Sequence, residues 1–250
     1  MENQVTQLLK AMVKPDYTAC SYAFMQNGKI VCADAIGVID KINNQPITTD
    51  CTFNVCSISK IYCTICVMQL VDEGLIQLED KVADILPEFT MKDERYKDIT
   101  VRMCLDHSSG LPGTQWKHFS VSTTSKFDYY SEVLNYLSNS TLKADPGTYS
   151  TYCNDGFTLA EMVVSKVRNM PYEDVLKKYI TEKIGANSTN TTYTIHSDYP
   201  LVSEGKKPKE YFPIQGAGGI TTSMIDLCKF GQLFLEPNSI ISEKSKALNG

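Results

Sequence analysis

The densest apolar run of the chain lies between residues 53 and 74, FNVCSISKIYCTICVMQLVDEG. Ile61, Ile65, Val67, Met68, Leu70 and Val71 recur at helical spacing and then spread almost round the helix, which predicts a buried helix. Gly74 suits its left-handed C-terminal cap. Lys60, Asp72 and Glu73 interrupt the run, and it is too short to span a bilayer. Ser57 and Lys60 stand at its start, three apart and so on one helix face.

The pattern on either side is mixed. The first sixteen residues, MENQVTQLLKAMVKPD, read as an amphipathic surface helix. Residues 17–26 and 29–39 are β-rich, and Asn27-Gly28 between them predicts a hairpin. Residues 43–50 form a polar loop, and a polar stretch at 75–86 is punctuated by Pro87. Residues 99–105 predict a short amphipathic helix running into a turn at His107 to Pro112. Residues 113–127 read as loop, 129–137 as helix and Asp145-Pro146-Gly147 as a turn. Thr158-x-x-Glu161 has the form of a capping box, predicting a helix with Leu159, Met162, Val163 and Val167 inward. Pro171 opens another, with Val175, Leu176, Tyr179 and Ile180 on its face, closing near Gly185. Residues 187–209 are polar and irregular, and 215–219 read as a flexible or ligand-approaching loop. Ser223-x-x-Asp226 then caps a helix bearing Ile225, Leu227, Phe230 and Leu233, ended before Pro237. The whole predicts an α/β (α+β) fold, with a sheet lobe from 1–50 and 210–250 and a mainly helical lobe from 51–209.

Composition narrows the function classes. With 250 residues, 42% of them hydrophobic, the chain can bury a sizeable core, and a net charge of −5 argues against a nucleic-acid partner. Lys206-Lys207-Pro208-Lys209 reads as a solvated loop. The N-terminal stretch carries acid early and has no continuous apolar region, so a cytoplasmic location without a membrane span is expected. Nine cysteines, an odd number without a framework, fit reduced buried thiols. Cys63-x-x-Cys66 lies mid-helix without a second pair at finger spacing, so neither redox nor zinc chemistry is expected there. The sequons at Asn139, Asn187 and Asn190 carry no meaning without secretion.

Ser57 with Lys60 is an S-x-x-K pair. A serine needs a base within hydrogen-bond reach, and desolvation favours the neutral, proton-accepting form of an amine. By the same reasoning, removing a desolvated lysine is expected to relieve a burial cost. Taken alone, the pair reads as a cap serine and a snorkelling lysine. Tyr152-x-Asn154 lies past a Pro-Gly turn, where the tyrosine could relay protons and the asparagine could hold Lys60 and a substrate amide.

With these motifs the chain resembles the penicillin-recognising serine hydrolases: class C β-lactamases, D,D-peptidases and related esterases. Four blocks match in order. They are S-x-x-K followed by MQLVDEGL, then LDHSSGLP, then PGTYSTYCN, and last GAGGITTSMIDL. The resemblance implies a β-lactamase/transpeptidase-like fold and an acyl-enzyme on Ser57, with Lys60 activating it and Tyr152 shuttling protons. Asn154, Gly218 and Gly219 would meet the substrate, a small molecule or peptide with an amide, β-lactam or ester bond. The Ser57 backbone N–H would supply half of an oxyanion hole. No metal or organic cofactor is implied. His107 is scaffold in this family, and no acid is placed to orient it in a Ser–His–Asp triad. Cys153 stands where serine or alanine is usual.

The family's third motif, K-T-G or H-x-G on a late strand, has no match in these residues. A further C-terminal segment or a second chain completing the sheet is therefore expected, with weak or no turnover from residues 1–250 alone. The rival readings are a catalytically silent binding protein and a strand-complemented subunit of the same fold.

Overall fold

A computed structural model describes residues 2–12, 19–39, 44–117, 119–121, 128–191, 212–237 and 239–247. The Lys206–Lys209 run, the last six residues of the 113–127 loop, positions 192–209 and the predicted strand start at Tyr17 lie outside them. The N-terminal helix is present as α1 (Glu2–Met12), lying on the hairpin of β1 (Ala19–Gln26) and β2 (Lys29–Gly37). Thr6 on α1 donates to Asp34 of β2 at 2.7 Å. Asn27 and Gly28 both take positive φ, 50° and 72°, which matches the twist of a two-residue hairpin turn.

β3 (Phe53–Asn54) follows, then a 3-10 turn over Cys56–Ile58 and α2 (Ser59–Asp72). The predicted helix is buried over most of its surface, with Tyr62, Cys63, Ile65, Val67 and Leu70 fully buried, but Ile61, expected inside, is 44% exposed and Val71 is half-buried. Gly74 has φ 71° just beyond it, the conformation of a C-terminal cap. Short helices α3 (Val82–Ile85) and α4 (Val101–Leu105), the latter capped by Thr100, lead to α5 (Tyr129–Ser138).

α6 (Asn154–Arg168) begins five residues earlier than the capping-box reading implies. Thr158 is inside the helix, donating back to the Asn154 carbonyl. Glu161 is fully buried, accepting from the Gly216 amide at 2.6 Å and the Tyr130 hydroxyl at 2.5 Å. Its long-range partners, not a local cap, explain the residue. Pro171 opens α7 (Tyr172–Leu176), a π turn (Lys177–Thr181) and α8 (Glu182–Ile184), closed by Gly185 at φ 64°.

The polar segment after Asn187 contains β4 (Asn190–Thr191), and the glycine-rich segment predicted as loop is α9 (Gln215–Gly218), buried throughout. β5 (Ile220–Thr222) is the centre of a three-stranded antiparallel sheet, ordered β3-β5-β4. α10 (Met224–Gln232) is capped by Ser223, as the sequence predicts, and α11 (Glu243–Ala247) is the last described element. α2 packs on α6 and α9, while α10 packs on the hairpin. Tyr62 of α2 stacks on Phe230 of α10. Among the described residues, no helix is long and apolar enough to cross a membrane.

Candidate active site

Three segments distant in sequence meet at the entrance to α2. Ser57 sits on the 3-10 turn with its residue exposed, following Cys56, which adopts φ 47°. A non-glycine residue in this region is uncommon and turns the chain sharply. Asn54 holds the bend: its Oδ1 accepts from the Cys56 amide at 3.0 Å. The Asn54 Nδ2 donates to the Gly218 carbonyl at 2.9 Å, tying β3 to α9.

One turn into the helix, Lys60 is 7% exposed. Its Nζ donates to Asn154 Oδ1 and to the Ala217 carbonyl, both at 2.7 Å, and lies 3.4 Å from Ser57 Oγ. An ammonium has three donors, and these three acceptors match them. The Tyr152 hydroxyl is 2.5 Å from Ser57 Oγ, and Nζ lies 4.7 Å from the Tyr152 ring centre. The Phe157 ring stands on the same cation at 5.4 Å. The structure thus brings Ser57, Lys60, Tyr152 and Asn154 into one cluster.

Gly218 and Gly219, expected at the substrate, are buried. Gly218 offers its carbonyl to Asn54, and a Cβ on Gly219 would lie 2.4 Å from the Phe212 carbonyl. That close approach requires glycine. Within the same block it is Ala217, not singled out from sequence, whose carbonyl meets Lys60. Asn54, and Ser59, whose hydroxyl accepts the Ile220 amide at 3.0 Å, were also missed. Both are polar residues in apolar surroundings, but their partners lie more than 160 residues away.

His107 is a positioning residue. Its carbonyl accepts the Thr151 amide and its Nδ1 accepts the Cys153 amide at 3.2 Å, so it grips the chain on both sides of Tyr152. Burial, aided by the Lys60 charge, pushes the imidazole below its usual range, keeping Nδ1 an acceptor. Asp155, next to Asn154, is fully buried and accepts the Gln115 amide with both oxygens. Burial raises its carboxyl to about 7. Cys63 and Cys66 are buried unpaired thiols, and burial holds Cys66 up at about 12, the opposite of a reactive redox pair. Among the described residues no group of His, Cys, Asp and Glu could hold a metal ion.

The geometry can be set beside known proteins. The family model described as Beta-lactamase matches residues 5–249. The chain belongs to the beta-lactamase family. Among curated members, penicillin-binding protein 4* of Bacillus subtilis is 25% identical over 244 residues, covering 88% of this chain and 53% of that protein. The octameric penicillin-binding protein homologue from Pyrococcus abyssi superposes with a TM-score of 0.77 at 22% identity, over 98% of this chain and 58% of that one. A Beta-Lactamase/D-Alanine Carboxypeptidase from Pseudomonas syringae gives 0.76 at 22%, over 98% and 67%. The beta-lactamase fold expected from the motifs is therefore the fold observed. The chain spans about half the length of the curated family members it matches, between 40% and 56% for three of them.

Proposed function

We propose that this domain is a serine hydrolase that cleaves an amide, β-lactam or ester bond through an acyl intermediate on Ser57. The carrying observation is the junction of Ser57, Lys60, Tyr152 and Asn154 around one ammonium. Lys60 is committed as a donor to Asn154 and Ala217, which leaves Tyr152, acting as its phenolate beside that cation and 2.5 Å from Ser57 Oγ, as the group placed to take the seryl proton. The attacking oxygen and the phenol both face the cation, so charge developing there is stabilised in place. The Ser57 amide would donate to the oxyanion, and Asn154 would orient the substrate amide while holding Lys60. Tyr152 then returns the proton to the leaving group, and water clears the ester by the reverse relay. Gly218 and Gly219 would serve the substrate through the α9 backbone they shape.

The penicillin-binding and carboxypeptidase relatives support a D-amino-acid peptide or β-lactam as substrate class. Nine unpaired cysteines support a reducing, cytoplasmic setting. The β1–β2 hairpin is a two-stranded sheet among the described residues, which supports a further strand, from a longer chain or a partner, completing it.

The test is intact mass after incubation with a fluorophosphonate and, separately, a penicillin, on this chain and on Ser57→Ala. A single adduct absent from the variant is the expected result. An adduct that persists in Ser57→Ala overturns the nucleophile. No adduct on a folded chain favours the silent binding protein.

A further inference from the structure

A cavity of about 750 Å³ opens between α5, α6 and the start of α9, and none of Ser57, Lys60, Tyr152 or Asn154 lines it. Its α6 wall, Met162 to Lys166, stands roughly 12–18 Å along the helix from Asn154, at about 1.5 Å per residue. The volume falls within the range of cavities that take small organic ligands.

Its deep end is built from Gln215 and Glu173. Gln215 is 4% exposed and donates Nε2 to Glu173 Oε2 at 3.4 Å, while its Oε1 has no hydrogen-bond partner among the described residues. A buried acceptor left unpaired is rare and costly, and it calls for a donor. Glu173 beside it adds negative charge. The remaining walls include Tyr129, Tyr130 and Met162, which offer an apolar, partly aromatic lining. Charge at the exposed rim is mixed, with Glu88, Asp128 and Lys166; the Asp128 carboxylate is already engaged in capping α5. The lining is therefore net acidic, and besides Gln215 Oε1 beside its carboxylate, the Ser165 and Tyr172 hydroxyls are buried without a hydrogen-bond partner among the described residues. Anions are disfavoured, and a neutral apolar molecule would leave Gln215 unpaired.

We propose that this cavity is a second ligand site, separate from the catalytic cluster, that takes a small organic cation with an apolar body. Its ammonium or guanidinium N–H groups donate to Gln215 Oε1 and Glu173, and its body lies against the tyrosines and Met162.

The probe is phenethylammonium, titrated calorimetrically into Ser57→Ala protein so that turnover cannot contribute heat. 2-Phenylethanol, the same body without charge, is the comparator. One saturable site at millimolar concentration or tighter is expected, with the alcohol at least about tenfold weaker. Glu173→Gln should weaken the amine at least about tenfold, and Met162→Trp, which fills the space, should do the same. If Met162→Trp fails to fold, the half-buried Glu173→Gln keeps the test readable. No saturable binding of the amine overturns the site. Equal binding of amine and alcohol overturns the cation preference, and amine binding unchanged by Glu173→Gln places the ligand elsewhere and overturns the assignment.

Discussion

The environment of Lys60 reverses one expectation drawn from its sequence context. A desolvated lysine with no partners would be a burden whose removal stabilises the fold. Here its ammonium satisfies Asn154 Oδ1 and the Ala217 carbonyl. Lys60→Met should therefore destabilise, because it strands two buried acceptors at about 1–3 kcal/mol each. It should also slow fluorophosphonate labelling of Ser57 by at least about 100-fold. A variant more stable than the parent in urea titration would contradict this account. Ser57→Ala is different: its side chain makes no cap bond and its residue is exposed, so denaturation midpoints should barely move while labelling vanishes. Asp155 gives a pH signature. Its carboxyl is raised to about 7, so the folded state binds that proton more tightly than the unfolded state does. The resulting stability is present at acid pH and is lost as pH rises towards and through 7. Asp155→Asn should remove that dependence, making the variant's thermal midpoint fall less than the parent's between pH 5 and 8. The difference is at most on the order of 4 kcal/mol. Parallel profiles for parent and variant would show that Asp155 does not titrate in this window.

At the level of elements, what was legible depended on whether the cause was local. α2 could be read because a helix apolar on all sides has few alternatives to burial, and the hairpin because Asn-Gly carries its own turn geometry. The S-x-x-K and Y-x-N motifs were legible as spacings. α9 was not, because a glycine-rich segment gains its helix from packing on α2 and α6 and from the Gly216–Glu161 bond, none of which is written locally. The entry to α6 failed for the same reason: Glu161 has the spacing of a capping residue, and only the fold reveals that Tyr130 and Gly216 claim it. Asn54 is the corresponding pin on β3, and Asn54→Ala removes its bonds to Gly218, Ile220 and Cys56 together. The expected cost is about 1–3 kcal/mol, accompanied by slower labelling as the bend before Ser57 relaxes. Lost stability with an unchanged labelling rate would assign Asn54 to the fold alone.

For the molecule as a whole, the cluster around Ser57 and the main core are one construction. α2 and α6 carry the site at their starts and the core along their lengths, and α9 closes both. The arrangement around Ser57 should therefore be lost in step with the fold. In a urea titration, fluorophosphonate labelling and far-ultraviolet ellipticity should give coincident transitions. Labelling lost well before ellipticity would mean that the cluster opens independently of the core. The fold class was legible because four ordered motifs name a family whose architecture is shared. The way the helices meet was not, since α2, α6 and α9 touch through residues that no short window contains.

The bond from Lys60 to the Ala217 carbonyl joins positions 157 residues apart. At ribosomal rates of about 5–20 residues per second, roughly 8–30 s separate synthesis of the two. During that interval the nascent chain carries its serine and lysine but not the acceptor that fixes the lysine. A molecule with this order of parts acquires the setting of Ser57 late in its own synthesis, and a chain halted before Ala217 carries the S-x-x-K motif without that setting.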